Sequence, residues 1–364
     1  MKTGGVSAAR FLQRGMLMFN FKNDYSEGAH QKVLEAIAAI NMEGNPGYGD
    51  DPYCERAADM IRERFGCPGA AVHFFVGGTS ANYTVIAAAL RAHEAVISAD
   101  TGHINVHEGG AVEGAGHKIL PCPSTDGKIR PADVEHWMER TADTAMVLPK
   151  MVYISNSTEV GTIYYKSELA ALSECCQKYG LYLFMDGARL GTGLTAPGAD
   201  LELADSAKYC DAFYIGGTKN GALMGEAMVL VNPELQPHFF RVMKQKGAVL
   251  AKGFLLGAQF EALLKDGLYW ENACWANCMA AKLKNGLKEL GFEFYIDSPT
   301  NQIFPIIPNS LMPAMELLCK HEVWIKGEND CTVIRLVTSF ATKEKDVDGF
   351  LSHLKALLAC LKEG

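Results

Sequence analysis

Residues 212–221 read Ala212-Phe-Tyr-Ile-Gly-Gly-Thr-Lys-Asn-Gly221, and they contain the most informative feature of this chain. An apolar run that predicts a buried strand stops at small residues and then presents one amine, that of Lys219. The glycines at 216, 217 and 221 allow close backbone approach, and no further charge occurs before Glu226. A lysine just past a strand is usually solvated, but a surface lysine rarely has this setting.

A second apolar run, Leu181-Tyr-Leu-Phe-Met185, ends in Asp186-Gly-Ala-Arg189. A lone aspartate at a strand end is often a turn residue or a helix cap. An amine and a carboxylate at the ends of two such strands are, however, what pyridoxal phosphate requires. The lysine carries it as a Schiff base, and the anion keeps its ring nitrogen protonated. We therefore expect Lys219 and Asp186 to hold this cofactor.

Composition indicates an ordinary globular protein. The chain has 364 residues, 48% of them hydrophobic and 21% charged, which suits one large α/β domain and a smaller terminal one. A net charge of -8 argues against nucleic acid or an anionic membrane as the main partner. Eleven cysteines without paired CxxC clusters are expected to be reduced and mostly buried.

The sequence shows no uninterrupted apolar run of about 18 residues, so it predicts no transmembrane helix. The N-terminal segment MKTGGVSAARFLQRGMLMF lacks the continuous apolar region of a secretory signal, and we expect a cytoplasmic protein. A transit peptide stays open as an alternative, since this segment has arginines and no acidic residue.

Apolar runs alternate with amphipathic segments from about residue 70 to 230. The expected strands are 72–76, 95–98, 146–148, 151–154, 181–185, 212–215 and 227–231, and the expected helices between them include 80–91, 131–140 and 166–179. This alternation predicts an α/β fold with a mostly parallel seven-stranded sheet sandwiched by helices. Ligands are then expected at the carboxyl ends of the strands.

After Asn232-Pro233 the pattern changes to long helices at 250–265 and 269–290. A smaller α+β region follows, with strands expected at 302–307 and 333–338 and a closing helix at 343–362. We expect an N-terminal tail at 1–20, a large domain at 21–265 and a small C-terminal domain at 266–364.

The segment Val76-Gly77-Gly78-Thr79-Ser80-Ala81-Asn82 follows a predicted strand and opens a predicted helix. Backbone amides at a helix N-terminus point outward and bind phosphate, Gly78 allows close approach, and Thr79 or Ser80 adds a hydroxyl donor. The segment is neither a Walker A loop nor a GxGxxG fingerprint. The alternative is a plain glycine turn with a serine or threonine cap.

His103 follows another predicted strand, in Ala99-Asp-Thr-Gly-His-Ile-Asn-Val-His-Glu108. An imidazole there can lie against the cofactor ring and handle a proton, or it can be a capping or core histidine. His107 and Glu108 also suggest a zinc site. HxxxHE is not HExxH and no third ligand stands out, so we expect no metal.

Two arginines are candidates for binding a carboxylate. Arg189 lies three residues past Asp186, and Arg335 lies in the middle of a predicted apolar strand. A guanidinium in such a strand requires a partner, which a bidentate substrate carboxylate would supply. The alternative for Arg335 is a structural salt bridge to an acidic residue such as Asp348.

With these residues in place, the chain resembles the threonine aldolase and β-eliminating lyase family of fold-type-I pyridoxal phosphate enzymes, over nearly its whole length from about residue 21. The matching pieces are Asn23-Asp24-Tyr25, Gly47-Tyr48-Gly49-Asp50-Asp51-Pro52, Gly78-Thr79, His103 with Glu108-Gly109, Asp186-Gly187-Ala188-Arg189, Thr218-Lys219 and Ile334-Arg335-Leu336-Val337-Thr338. Their order and spacing together are specific.

The resemblance implies roles at the cofactor. Lys219 would form the Schiff base, Asp186 would pair with the ring nitrogen, and His103 would stack on the ring. The residues expected to bind the cofactor are Gly78, Thr79, Ser80, His103, Asp186, Arg189, Thr218 and Lys219.

The resemblance also implies contacts to the substrate, which would be an amino acid. Arg189 and Arg335 would bind its carboxylate, and Asn23 and Tyr48 are expected at the substrate too. The family builds its sites across a dimer, commonly within a tetramer. We therefore expect a homodimer or homotetramer in which Tyr48 reaches the site of a neighbouring subunit.

Three departures from the family pattern stand out. Asn23 replaces a serine at the first turn, and the family's Glu-Asn-Thr-His segment becomes Ser155-Asn156-Ser157-Thr158, so that Thr158 stands in place of a second active-site histidine. The glycine run followed by arginine near the phosphate is replaced by residues 246–252, where Lys246 or Lys252 is the candidate substitute.

The expected function is therefore that of a pyridoxal-phosphate-dependent lyase. It would cleave the Cα–Cβ bond of a β-hydroxy amino acid of the L-threonine or L-allo-threonine type to glycine and an aldehyde. One alternative keeps the cofactor for β-elimination, amino transfer or decarboxylation of a small amino acid. Another is a zinc hydrolase that uses His103, His107 and Glu108, and a third is a homologue that binds the vitamin without turnover.

Overall fold

The computed structural model of the protein describes residues 18–362. The chain divides into a larger unit, residues 28–272, and a smaller unit formed by residues up to 27 together with 273 onward. The sequence predicts domain boundaries at 20/21 and 265/266, and these boundaries stay a prediction. Most of the expected tail at 1–20 lies outside the described residues.

A seven-stranded sheet forms the centre of the larger unit. Its strands are β2 (Ala71–Phe75), β3 (Glu94–Ala99), β4 (Lys118–Cys122), β5 (Leu148–Ser155), β6 (Tyr182–Asp186), β7 (Ala212–Gly216) and β8 (Glu226–Leu230). The order across the sheet is β2-β8-β7-β6-β5-β3-β4. Strand β8 pairs antiparallel with both of its neighbours, whereas the remaining pairs are parallel. The predicted α/β fold with a mostly parallel seven-stranded sheet is confirmed.

The membership of the sheet differs from the prediction at two strands. The run expected at 151–154 lies within one strand, β5, whereas only Leu148 of the run expected at 146–148 belongs to it. Strand β5 contains Pro149 next to an irregularity in its pairing with β3. The seventh strand is instead β4, which the sequence reading missed. It is short and contains Pro121, which is tolerated because β4 lies at an edge of the sheet.

Helices of the larger unit cover the sheet. They are α1 (Gln31–Ile40), α2 (Pro52–Arg64), α3 (Gly78–Ala89), α4 (His103–Val106), α5 (Ala111–Gly114), α6 (Pro131–Arg140), α7 (Lys166–Tyr179), α8 (Leu190–Leu194), α9 (Leu203–Tyr209), α10 (Phe239–Gln245), α11 (Phe254–Lys265) and α12 (Leu268–Glu289). Helix α12 continues past residue 272 into the smaller unit. A short 3-10 turn covers Pro233–Leu235.

Alternate side chains of the strands pack into two apolar clusters. Phe213 and Ile215 of β7 belong to a cluster shared with α2, α7 and α11, whereas Tyr214 belongs to a second cluster shared with α3 and α10. Tyr153 of β5 packs in the same cluster as Tyr214. Two buried tyrosines therefore face helix α3, close to where the parallel strands end.

The smaller unit has its own core, to which Phe21, Leu283, Ile334 and Phe350 contribute. Its elements are β1 (Phe19–Asn20), β9 (Gln302–Ile303), β10 (Ile306–Pro308), α13 (Met312–Leu318), β11 (Cys319–Lys320), β12 (Glu322–Ile325), β13 (Cys331–Val337) and α14 (Glu344–Lys362), with a 3-10 turn at Glu328–Asp330. Strand β13 pairs antiparallel with β9, β10 and β12, and β1 pairs with β11.

Among residues 18–362, no helix is both long and apolar enough to cross a membrane. All eleven cysteines lie in this range as free thiols, and seven of them are buried.

Candidate active site

Asp186 is the last residue of β6, in register with Ser155 at the end of β5. It is buried, at 4% exposure. The carboxyl ends of neighbouring parallel strands meet at one edge of the sheet, so loops that follow β5, β6 and β7 converge there. The amide of Asn156 donates to the Asp186 carbonyl at 3.0 Å, which joins two of these loops.

The Asp186 carboxylate accepts four hydrogen bonds. Tyr214 donates to Oδ1 at 2.5 Å and the Ala188 amide donates to the same oxygen at 2.9 Å. Tyr153 donates to Oδ2 at 2.6 Å, and Asn82 Nδ2 donates to it at 2.9 Å. Donors from two strands, a helix and a loop therefore fix the carboxylate in one orientation.

These donors decide the charge of Asp186. Burial alone raises the pKa of a carboxyl group, because it disfavours the ion. The charge of His103 and the hydrogen bonds from Tyr153, Tyr214 and the Ala188 amide outweigh burial, so the pKa of Asp186 is lowered from its usual value. Asp186 is accordingly a buried anion at neutral pH.

Asn82 links Asp186 to a second carboxylate. Its Nδ2 also donates to Oε1 of Glu108 at 2.7 Å, and the same oxygen lies 2.8 Å from Nδ1 of His103. The Glu108 side chain is fully buried, whereas 35% of the His103 side chain is exposed. We assign the proton to Nδ1, because a carboxylate faces it, and this leaves Nε2 as the basic nitrogen.

Glu159 fixes the backbone of His103. Its Oε1 accepts from the His103 amide at 3.0 Å and from the Ser155 hydroxyl at 2.7 Å. Burial raises the pKa of the Glu159 carboxyl above its usual value, although the Ser155 bond opposes that rise. His103 is the first residue of α4, and Glu159 thus holds the start of that helix.

Thr158, which we expected to stand in place of the family's second histidine, is buried in its own turn. Its hydroxyl lies 2.8 Å from the Thr162 hydroxyl and accepts from the Thr162 amide at 3.1 Å. The next residue, Glu159, accepts a hydrogen bond from the His103 amide instead.

Helix α3 begins at Gly78, two residues before the predicted start at Ser80. Its N-cap, Gly77, offers no side chain to the amides of the first turn. Those amides, of Gly78, Thr79 and Ser80, carry partial positive charge and suit a phosphate group. A Cβ at Gly78 would lie 2.9 Å from the Tyr214 hydroxyl, so glycine is required for Tyr214 to reach Asp186.

Lys219 lies in the turn between β7 and β8 and is half-buried. Flanking bonds fix this turn: Asn220 Nδ2 donates to the Tyr269 carbonyl at 2.7 Å, and Asn272 Nδ2 donates to the Asn220 carbonyl at 3.0 Å. Thr218 Oγ1 accepts from the Gly225 amide at 3.0 Å, so this hydroxyl also closes the turn.

A carboxylate that the sequence reading did not assign lies beside this turn. Glu226, buried at 4% exposure, accepts a hydrogen bond from the Gly217 amide at 3.0 Å. Burial raises the pKa of the Glu226 carboxyl above its usual value, the Thr218 hydroxyl and the Lys219 charge lower it, and the Asp186 charge raises it.

Arg189 is the N-cap residue of α8 and is half-buried three residues beyond Asp186. Lys246 is half-buried, and its carbonyl accepts from the Tyr83 hydroxyl of α3 at 2.8 Å. Lys252 is exposed. The choice between these lysines as a phosphate ligand stays a prediction.

Tyr48 has a left-handed backbone, with φ of 68°, and is 49% exposed. The Lys244 ammonium lies 4.1 Å from the centre of its ring. Tyr48 lines a cavity of about 730 Å³ together with Arg62 and His73, and Lys219 and Asp186 are not among the lining residues.

Asn23 and Arg335 belong to the smaller unit. Asn23 Oδ1 accepts from the Tyr25 amide at 3.1 Å and from the Ser26 hydroxyl at 2.8 Å, which closes a local turn. Arg335 forms a salt bridge with Glu322. The predicted substrate contacts of Asn23 and Arg335 stay predictions.

The structural salt bridge that we considered for Arg335 is therefore made with Glu322. This residue belongs to the neighbouring strand β12 and lies opposite Arg335 in the register of the two strands. Asp348, the acid named from the sequence, pairs with Lys282 at 2.7 Å. The Arg335 guanidinium also donates to Gln302 Oε1 at 3.1 Å and lies over the Trp324 ring.

The histidines of the zinc alternative lie near each other, with the ring centres of His103 and His107 5.6 Å apart. Glu108 is engaged by His103 and Asn82. Within residues 18–362, no group of three or more histidine, cysteine, aspartate or glutamate side chains is placed to hold a metal ion.

Sequence reasoning missed Asn82, Tyr153, Tyr214, Glu159 and Glu226. The two tyrosines lie within apolar strands, where an aromatic residue predicts core packing. The sequence did contain a sign of a role for Asn82. It is a polar side chain in the first part of α3, among small and apolar residues that predict a buried helix, and a buried polar group needs a hydrogen-bond partner.

Comparisons with known proteins identify the family of the chain. A model of the family described as "Beta-eliminating lyase" matches residues 21–308. The chain is similar to the low specificity L-threonine aldolase of Pseudomonas sp. (strain NCIMB 10558), at 30% identity over 93% of this chain and 98% of that protein. It is 32% identical to the low specificity L-threonine aldolase of Pseudomonas aeruginosa, over 82% of this chain and 86% of that one. The solved structure of Leishmania major threonine aldolase superposes with a TM-score of 0.92 at 45% identity, over 93% and 99% of the two chains.

Proposed function

The chain belongs to the beta-eliminating lyase family, and from that premise we propose that it is a lyase of the threonine aldolase type. The proposed reaction cleaves the Cα–Cβ bond of a β-hydroxy amino acid, of the L-threonine or L-allo-threonine type, to glycine and an aldehyde. The threonine aldolases among its relatives support this choice. One observation carries it: the buried Asp186 anion ends the strand next to the one that leads to Lys219.

The proposed cofactor is pyridoxal 5'-phosphate, on which enzymes of this family depend. The residues of the larger unit fit that molecule. The uncapped first turn of α3, with Gly78, Thr79 and Ser80, would hold the phosphate. Asp186 would hold the protonated ring nitrogen, and Lys219 would supply the amine.

When bound, pyridoxal phosphate joins the amino group of the substrate and accepts the electron pair of the bond that breaks at Cα. Asp186 would present a fixed negative charge to the ring nitrogen. Burial strengthens the electrostatic attraction between the two groups because water does not screen it. Lys219 must act as a neutral amine, which removal of water from its surroundings favours.

His103 is the proposed group for the proton of the β-hydroxyl. The contact of Nδ1 with Glu108, at 2.8 Å, fixes the ring so that Nε2 would accept that proton. A bound water is the alternative base. Arg189, beside Asp186 in the chain, is the proposed ligand of the substrate carboxylate within the larger unit.

We also propose that the protein works as a homodimer or homotetramer, with Tyr48 reaching the site of a second copy. The exposed ring and the left-handed backbone of Tyr48 support this, since a strained and solvated aromatic residue is typical of a functional contact. Light scattering of the purified protein tests it, and a monomer at working concentration would contradict it.

Product analysis tests the proposed reaction. The purified protein, loaded with pyridoxal phosphate, is incubated with L-threonine, L-allo-threonine and L-serine. Glycine together with an aldehyde is the expected result. A keto acid with ammonia would indicate β-elimination, pyridoxamine phosphate would indicate amino transfer, and either as the main product would overturn the proposal.

A further inference from the structure

Glu226 lies at the end of the sheet where the parallel strands finish, because β8 runs antiparallel to both of its neighbours. The parallel strands end at this edge, with Asp186 and Gly216, whereas β8 begins there with Glu226. Glu94 is also the buried first residue of a strand, β3, but it lies at the other end of the sheet. Strand β3 is parallel to its neighbours and therefore begins at the end opposite to Asp186.

Hydrogen bonds fix the Glu226 carboxylate at the base of the Lys219 turn. Glu226 lies opposite Gly216 in β7 and opposite Phe75 in β2, so the sheet continues on both sides of it. Its Oε2 accepts from the Gly217 amide at 3.0 Å, two residues before Lys219. The Thr218 hydroxyl accepts a hydrogen bond from the amide of Gly225, the residue before Glu226, at 3.0 Å, and this bond closes the turn.

Four titratable groups interact electrostatically with this carboxylate. Lys219 of the turn and Asp186 of β6 act on its charge, and its own charge acts on Tyr214 of β7 and Tyr269 of α12. Burial raises the pKa of Glu226 to about 8, although the Thr218 hydroxyl, the Lys219 charge and the Gly217 amide lower it. Glu226 therefore changes charge in the pH range in which an amine nucleophile works.

We propose that Glu226 is a positioning residue for Lys219, whose proton it takes up when the lysine acts as a neutral amine. This inference rests on the proposed function, in which Lys219 carries the cofactor. It deepens that function by assigning the proton of the lysine to a particular acceptor.

The step balances in atoms and in charge. One N–H bond of the Lys219 ammonium breaks and one O–H bond of the Glu226 carboxyl forms. An ammonium and a carboxylate become an amine and a carboxylic acid, so the pair is neutral before and after. A buried site tolerates this exchange, because it never leaves a single unpaired charge away from water.

The direct test uses the cofactor-free protein and needs no turnover. Lys219 is acetylated by a trace of acetic anhydride at a series of pH values, and mass spectrometry of its peptide gives the midpoint of its reactivity. An anion within about 4–6 Å raises the pKa of a cation by about 1–3 units. In Glu226→Gln the midpoint of Lys219 should therefore fall by at least about 1 pH unit.

Two further variants make the test specific. Glu94→Gln removes a buried carboxylate at the other end of the sheet, and it should leave the midpoint of Lys219 reactivity unchanged. Glu226→Asp keeps a carboxylate on a shorter stem and should restore at least half of the lost shift. A midpoint in Glu226→Gln equal to that of the unaltered protein would overturn the proposal.

A measurement on the unaltered chain covers the case in which Glu226→Gln does not fold. Infrared difference spectra compare the loaded with the cofactor-free protein at pH 9, above the Glu226 pKa of about 8, so that the carboxyl is ionised before loading. Isotope-labelled glutamate identifies the carboxyl groups. A band of a protonated glutamate should appear on loading, because Glu226 then holds the proton. If no glutamate gains a proton, the proposal is wrong.

These outcomes are separate from that of the reaction itself. The acetylation midpoint does not depend on which products the loaded enzyme forms. A protein that fails the glycine test can still show the Lys219–Glu226 coupling, and a true threonine aldolase can lack it.

Discussion

The hydroxyl of Tyr214 donates a hydrogen bond to Oδ1 of Asp186 at 2.5 Å, and both groups are buried. This contact joins β7, which leads to Lys219, to the anion at the end of β6. Together with the His103 charge and the Tyr153 hydroxyl, it keeps the carboxyl ionised although burial alone would favour its neutral form.

Tyr214→Phe removes this donor and should raise the pKa of Asp186. Because the pKa of Asp186 is lowered in the folded protein, its stabilising effect is present above the unfolded pKa and is lost as the pH falls through the folded one. The variant should lose about 1.5–3 kcal/mol of unfolding free energy at pH 7. The acidic limb of its pH–rate profile should move to higher pH.

Tyr164→Phe is the matched control, since Tyr164 is equally buried and its hydroxyl accepts from the Ile129 amide at 2.7 Å instead of donating to Asp186. It should lose stability without moving the acidic limb. Identical pH profiles for the two variants would show that Tyr214 does not control the charge of Asp186.

Gly78→Ala places a methyl group 2.9 Å from the Tyr214 hydroxyl, so either Tyr214 or the start of α3 must move. We expect the dissociation constant of pyridoxal phosphate to rise by at least about tenfold, which is about 1.4 kcal/mol. Equilibrium dialysis measures it. In Gly77→Ala the new methyl group meets nothing within 4 Å, and the constant should change by less than about threefold. Equal effects at both positions would contradict the proposed phosphate site.

Glu159→Ala leaves the His103 amide without its acceptor and should lower the unfolding free energy by about 1–3 kcal/mol. Turnover should fall as well, because the start of α4 holds His103. Glu159→Gln retains an oxygen acceptor and should recover most of the stability. Chemical unfolding and product assays on both variants measure these effects, and an unchanged turnover in Glu159→Ala would remove Glu159 from the site.

Asp186→Asn keeps the shape of the side chain and removes its charge. We expect the cofactor to remain bound and turnover to fall by at least about a hundredfold, as for other lost electrostatic contacts in active sites. Asp205→Asn, at another buried aspartate that pairs with Lys166, should change stability and leave turnover intact. Full activity in Asp186→Asn would exclude its role at the ring nitrogen.

Much of the fold could be predicted from the sequence because the pattern is local. Helices α6 and α7 begin and end where periodicity placed them, and α12 agrees within one residue at each end. Strand β4 was missed since it is short, carries Pro121 and pairs on one side only. Pro149 lacks an amide donor and therefore predicted a break between two strands. The structure instead continues β5 through Pro149, from Leu148 to Ser155, because its pairing with β3 is irregular there.

The site was predictable where chemistry interrupts an apolar run, as at Asp186, Lys219 and the glycines before α3. Tyr153 and Tyr214 could not be assigned, because a hydroxyl inside an apolar strand gives no sign of what it will meet across the sheet. Glu226 was visible as a charge, but its position beside Lys219 depends on the antiparallel direction of β8. Such pairing is set by tertiary structure and not by local pattern.

The central claim is that Lys219 is the residue to which the cofactor is attached. The protein is loaded with pyridoxal phosphate and reduced with borohydride, and its peptides are analysed by mass spectrometry. We predict that the added mass is found on the Lys219 peptide, and that Lys219→Ala binds no cofactor covalently and loses nearly all turnover. Reduced cofactor attached to a different lysine, or retained covalently by Lys219→Ala, would contradict the account.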